Sequence, residues 1–322
     1  MEGKRIFIKQ YVSDLSIEWN EFNASAKNGL FLFDRNYMEY HSDRFKDNSL
    51  LFYYDNRLVA ILPANIFKET FYSHQGLTYG GFIVDAGMKQ HIMNDCFTAL
   101  IEYLREHNIK YMLYKTIPHI FHKIHSEEDK YSLFINNSFI EKVEASTAID
   151  LLFPLKMTKG RKAQISRAKR EEIFIDESTD ERDYKEFFVL EEYVLKKYHN
   201  TVPVHTADEM ILLHRRFPEH IHLYTAKSHQ KIVAGIILYE YENSIHTQYM
   251  AADEDGRKNG ALDLIIASII DIYKHRKRWL DFGISTEHGG NVLNGGLISQ
   301  KESFGGRTIV YETYGVKIDE KY

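Results

Sequence analysis

The chain has 322 residues, 44% of them hydrophobic, with 22 Tyr, 20 Phe, 5 Pro and a formal net charge of −5. That composition supplies large apolar cores and a length for about two domains of roughly 150 residues each, which excludes a disordered chain. The negative balance gives no global basic field, so stable nucleic-acid binding is not expected.

One cysteine, Cys96, rules out a disulfide within the chain and fits a reducing cytoplasm. In the helical spacing of MNDCFTALIEYL it reads as a small buried apolar residue. No apolar run reaches the roughly 18–20 residues that span a bilayer, and MEGKRIFIKQY alternates like a strand instead of forming a signal peptide. A cytoplasmic protein with no membrane span is therefore expected.

Residues 5–11, RIFIKQY, read as the first strand, and Leu15, Ile17, Trp19 and Phe22 space a short helix. NYMEYHSDRF reads as a further helix. SLLFYY and LVAILPANIF read as two strands joined at a hairpin-type turn, Asp55-Asn56. After FYSHQGLTYGGFIVD come a helix over KQHIMNDCFTALIEYLREHN and the strands KYMLYKTIP and STAIDLLF. This order is an α/β pattern about a mixed sheet.

Residues 156–170, KMTKGRKAQISRAKR, carry seven cations. This basic segment marks a domain junction, giving an N-terminal domain over 1–153 and a C-terminal domain over 154–322. It is either a solvated helix face or a site for the phosphates of a nucleotide-linked or tRNA-linked donor. FIDES then reads as a strand, DERDYKEFFVLEEYVLKKYH and TADEMILLHRRF as helices, and IHLYTAKS, KIVAGIILYEYE and SIHTQYMAAD as three antiparallel strands. NGALDLIIASIIDIYKHRK is a helix and WLDFGIS a strand. Matching LLFYYDNRLVAILPANIF against LYTAKSHQKIVAGIILYEYE reveals a structural repeat. The last feature is a glycine-rich stretch, 280–307, with Gly283, Gly289, Gly290, Gly295, Gly296, Gly305 and Gly306 among polar residues. Glycines at that density suggest a shaped loop that walls a binding site.

Three strands, a turn, a helix and a strand, repeated in one chain, resemble the double-GNAT acyltransferases of the FemABX group. The matching stretches include SHQGLTYGGFIVD, KIVAGIILYEYENSIHTQYMAADEDGRKNGALDLII, LDFGIST and KESFGG. The resemblance implies an α/β fold of two tandem GNAT-like domains, each a mixed, mostly antiparallel sheet flanked by helices. It implies an N-acyltransferase that moves an acyl group from acyl-CoA, as co-substrate, to an amine. The acceptor would be a small molecule such as a nucleotide-linked sugar or a cell-wall, peptidoglycan or cell-surface polysaccharide precursor. An aminoacyl-tRNA-dependent peptidyl transferase and a catalytically inactive binding module on the same scaffold are the alternatives. The long helical arm of the bridge enzymes has no counterpart in the sequence.

In GNAT enzymes a loop before a helix holds the pyrophosphate of acyl-CoA on backbone amides. The matching positions here are Arg257, Lys258, Asn259, Gly260 and Ala261, although Leu262 stands where Gly or Ala is usual. His246, on the preceding strand, is a candidate base with His205, since histidine titrates near working pH; a buried structural histidine is the other reading. Alternation puts His246 and Gln248 on one face and Tyr249 on the other. Asp281, near a strand end, is placed to orient an amine or a histidine, or to cap the next turn. Lys301 matches a lysine that in the FemABX group lies at the substrate site, with Ser285, Gln248 and Tyr249 as further acceptor contacts. In the first half His74 and Tyr79 form a similar strand-and-glycine edge, expected to be a non-catalytic, acceptor-side wall between the domains. No metal site is expected, because His119, His122 and His125 lack acidic or Cys partners at ligand spacing.

Overall fold

The computed structural model of the protein describes residues 6–318, so Arg5 of the expected first strand lies outside the described residues. The chain divides into two units. One holds residues 1–144, 288–291 and 310–322, and the other holds 145–287 and 292–309. The division therefore differs from a single cut after residue 153. The final strand, Arg307–Lys317, passes from the second unit into the first, where its residues 313–317 pair antiparallel with Tyr111–Lys115.

In the first unit the strands Ile6–Gln10, Leu50–Tyr54, Arg57–Leu62 and Ile83–Val84 form an antiparallel sheet. The expected turn at Asp55 and Asn56 has φ of 50° and 61°, the left-handed pair that a two-residue hairpin needs. Asn65–Phe67, Thr70–Tyr72 and Tyr111–Lys115 form a second run, the last two strands parallel. The helix Gln90–Glu106 buries Ile92, Met93, Cys96, Phe97, Leu100 and Leu104 against Phe52, Val59, Phe71 and Met112. Cys96 is thus a core residue, and burial pushes its thiol well up. The helix expected over NYMEYHSDRF is shorter: Arg35–Met38 gives way to a single 3-10 turn, Glu39–His41. Arg35 is drawn inward there, bonded to Asp47 at 2.5 Å and lying 3.6 Å over the ring of Tyr11.

In the second unit Phe174–Ser178, Ile221–Ser228, Lys231–Glu240 and Ser244–Ala252 pair antiparallel in that order. Trp279–Ile284 lies parallel to Ser244–Ala252 because the helix Ala261–Tyr273 carries the chain back across the sheet. The end of the strand Phe139–Asp150 closes the other side of Trp279–Ile284. One sheet face packs under Ala261–Tyr273, whose Leu264, Ile265 and Ile269 meet Ile236, Leu238 and Ile245. The opposite face packs under the helix Glu181–His199: Gly235 sits where a Cβ would come within 2.4 Å of the Phe187 ring. Each unit thus has a mixed, mostly antiparallel sheet with helices, as expected. Among the described residues no helix is long and apolar enough to cross a membrane.

Candidate functional site in the second unit

Two neighbouring strands bring the site together. Their parallel register sets His246 opposite Asp281, and His246 Nδ1 lies 2.6 Å from Asp281 Oδ2. Both side chains are buried, the carboxylate completely. Asp281 is further held by Ser146, whose hydroxyl donates to Oδ1 at 2.6 Å, and by the Gly283 amide, which donates to Oδ2 at 3.1 Å. These contacts hold the carboxylate in place, and it in turn fixes the ring it faces. Gly283 takes φ of +73°, and a Cβ there would lie 3.3 Å from His246 Cε1, so the bend at this point requires glycine.

Lys301 stands behind that bend on the helix Gly295–Glu302, which Asn294 caps by accepting the Leu297 amide. Its ammonium donates to the carbonyls of Gly283 and Ile284 at 2.8 and 2.7 Å. Burial pushes it down to about 8, against the pull of the Asp281 charge. Lys301, expected at the substrate site, therefore clamps the strand end. Ser285 is also buried: its amide donates to the Ala145 carbonyl, and its hydroxyl has no partner among the described residues.

A β-bulge corrects the expected alternation. Ile237 pairs with Tyr249 and Leu238 with Thr247, so Gln248 is left over and the pleat resets. Tyr249 consequently shares a face with His246, and Gln248 does not hold the place predicted for it. The Tyr249 hydroxyl lies 2.6 Å from His205 Nδ1 and accepts the His205 amide at 3.2 Å. The two expected histidines are thus each engaged separately, His246 by Asp281 and His205 by Tyr249. Burial pushes the tyrosine up to about 12, with the His205 amide opposing and the charge of Glu191 adding to it.

Glu191 is a residue that sequence reasoning missed. It lies on Glu181–His199, is 4% exposed, and its Oε2 has no hydrogen-bond partner among the described residues. Burial pushes its carboxyl up to about 7. The signal was present in FFVLEEYVL: Glu191 stands three and four residues from Phe188 and Phe187, on the stripe that must face the sheet. Ser146 was missed because a serine on a strand carries no mark of its partner.

The loop expected to hold a pyrophosphate is a short helix, Glu254–Asn259, capped by Asp253. The Gly256 amide donates to Asp253 Oδ1, and Arg257 Nε donates to the Ala252 carbonyl while its guanidinium lies 3.9 Å over Tyr198. The Lys258 carbonyl accepts Arg167 Nη1. A Cβ on Gly260 would come within 2.5 Å of the Gln164 carbonyl oxygen, and Ala261 is fully buried. Asp263, in the first turn of Ala261–Tyr273, pairs with Arg161 at 2.8 Å. The start of the helix Ala261–Tyr273, where Arg257, Lys258, Asn259, Gly260 and Ala261 were expected to hold a pyrophosphate, is thus packed against Gln164 and Arg161.

His74 and Tyr79 belong to the first unit. His74 stacks on His41 at 5.4 Å, and Tyr79 packs against Phe121 and Tyr311. Among the described residues no group of three His, Cys, Asp or Glu forms a metal site.

Residues 159–288 match the family described as Acetyltransferase (GNAT) domain. No curated protein matches the chain. Among solved structures, FemX is similar over 97% of both chains, with a TM-score of 0.67 and 10% identity. A tandem GNAT protein from the clavulanic acid biosynthesis pathway is similar over 99% of this chain and 100% of its own, at 0.55 and 8%. L-PGS from Bacillus licheniformis is similar over 82% of each chain, at 0.58 and 13%. At such identities the likeness is one of fold. Residues 159–288 thus carry a GNAT domain match, and over its whole length the chain is similar in fold to FemX and the tandem GNAT protein.

Proposed function

We propose that the chain is an N-acyltransferase that moves an acyl group from an activated donor to the amine of a small acceptor, such as a nucleotide-linked sugar or a cell-wall or cell-surface precursor. The observation that carries this reading is the His246–Asp281 pair, 2.6 Å apart inside the GNAT-matched residues. With its proton on Nδ1 facing Asp281, the imidazole has its lone pair on Nε2. The acceptor nitrogen attacks the donor carbonyl carbon, the new C–N bond forms, and His246 takes the proton lost by nitrogen. The bond to the leaving group then breaks, and the leaving group departs with its electron pair. Positioned base catalysis of this kind contributes about 10²–10⁴-fold. Tyr249, His205 and Glu191, on the same sheet face, are the proposed acceptor-side groups; Lys301 and Gly283 hold the geometry.

The GNAT match suggests acyl-CoA as donor. The fold likeness to FemX makes an aminoacyl ester carried on tRNA the second donor to test. Calorimetry with acetyl-CoA and a gel shift with aminoacyl-tRNA separate the two. Acyl transfer with either donor that persists in His246→Ala would sink the proposed base, and no transfer with any donor would leave a binding module.

A further inference from the structure

The connection between the strand Phe139–Asp150 and the helix Lys159–Arg170 carries features that acyl transfer does not use. In the run LLFPLK, Leu152, Phe153 and Leu155 are 58%, 75% and 48% exposed. The turn that presents them is ordered: the Leu152 amide donates to Asp150 Oδ1 at 3.0 Å and the Phe153 amide to the Asp150 carbonyl at 3.2 Å. Three large apolar side chains are therefore held out in water by a pinned turn, an unfavourable arrangement unless something covers them.

The helix that follows is two-faced. Its inner side carries Arg161 bonded to Asp263, Gln164 against Gly260, and buried Ala168. At about 100° per residue, the outer side is Lys159, Lys162, Ser166, Lys169 and Arg170, all exposed. Residues 151–170 contain seven Lys and Arg and no Asp or Glu. Among the described residues Lys156, Lys159 and Lys162 make no ion pair. In a chain of net charge −5 this is a local cationic surface beside an apolar tip.

We propose that this face docks on an anionic bilayer surface, with Leu152, Phe153 and Leu155 entering the interface and Lys156, Lys159 and Lys162 facing the headgroups. Charge complementarity selects the anionic surface, and the apolar tip selects a bilayer over a polynucleotide. A nucleic acid rewards cations and a stacking aromatic ring, but two leucines beside that ring gain nothing from it. Hydrocarbon accommodates all three.

The test is cosedimentation of the intact protein with phosphatidylcholine vesicles, with and without phosphatidylglycerol. Binding is expected only with phosphatidylglycerol and should weaken with salt. Lys159→Gln, Lys162→Gln and Lys169→Gln together should weaken it roughly a hundredfold. Leu152→Ser, Phe153→Ser and Leu155→Ser together should weaken it at least about tenfold at unchanged melting temperature. If that triple variant melts early, Phe153→Ser alone serves. No binding to phosphatidylglycerol vesicles, equal binding to neutral ones, or full binding by the serine variant overturns the proposal. So does a structured RNA that binds through the same lysines and displaces the vesicles.

Discussion

The two units build the same hairpin by the same means and then diverge in chemistry. Leu50–Tyr54 and Arg57–Leu62 turn through Asp55 and Asn56, while Ile221–Ser228 and Lys231–Glu240 turn through His229 and Gln230, and all four turn residues have φ between 47° and 66°. Each hairpin also slips register once, between Phe52 and Tyr53 in one and between Ala226 and Lys227 in the other. Each unit ties a lysine to main-chain carbonyls: Lys115 to those of His74 and Leu77, Lys301 to those of Gly283 and Ile284. The histidines differ. His246 faces a carboxylate, whereas His74 faces His41, and burial, then His41, Lys115 and Arg35, pushes His74 down to about 3. A repeated scaffold therefore carries a differently partnered imidazole in each unit, a carboxylate in one and a second histidine in the other.

The largest expected effect separates those two histidines. His246→Ala should lower acyl transfer by about 10²–10³-fold, and Asp281→Asn by about a hundredfold through the wrong tautomer. His74→Ala should change turnover less than about threefold in steady-state assays of folded protein. Equal losses at His74 and His246 would abolish the distinction between the units.

Glu191 gives the next effect. Its folded value, about 7, is raised above the ordinary 4.5, so its contribution is fully present below pH 4.5 and is lost as pH rises through 7. Denaturant titrations should find Glu191→Gln more stable than the parent at pH 8 by roughly 3 kcal/mol and equal to it near pH 4. The first unit should show the opposite slope. His74 has a lowered folded value, so its contribution is present above pH 6.5 and falls below it, by about 2 kcal/mol at pH 5. Hydrogen exchange at that pH should open amides around His74 before those around His246.

The smaller effects probe what the units share. Lys115→Met and Lys301→Met should each cost about 2 kcal/mol in thermal melts, because two buried carbonyls lose their donor. Gln230→Gly should stabilise its turn by about 0.5–1 kcal/mol, since glycine takes positive φ without strain. Asn56→Ala should destabilise its turn by a similar amount.

The hairpins and long helices were legible because their signals are local. The continuous apolar run of KIVAGIILYE and the apolar stripe of Gln90–Glu106 need no knowledge of distant residues. The glycine-rich stretch was only half legible: its density marked the bend at Gly283, but the capped helix Gly295–Glu302 inside it lacks any strong apolar period. The surroundings of the expected pyrophosphate loop were not legible, because Gln164 and Arg161, about a hundred positions earlier, pack against that helix end only in the folded chain.

By itself the sequence determined the repeated order of strands and helices, the two-residue turns and the buried role of Cys96, all of which rest on spacing within about twenty residues. Tertiary structure alone decided that His246 meets Asp281, 35 residues away, because a parallel register is set by the helix between the strands. It also decided that the bulge at Gln248 turns Tyr249 toward His246's face and that Glu191 lies buried with an unmatched oxygen. Such pairings depend on which faces the folded sheet presents, and one-dimensional spacing carries no record of them.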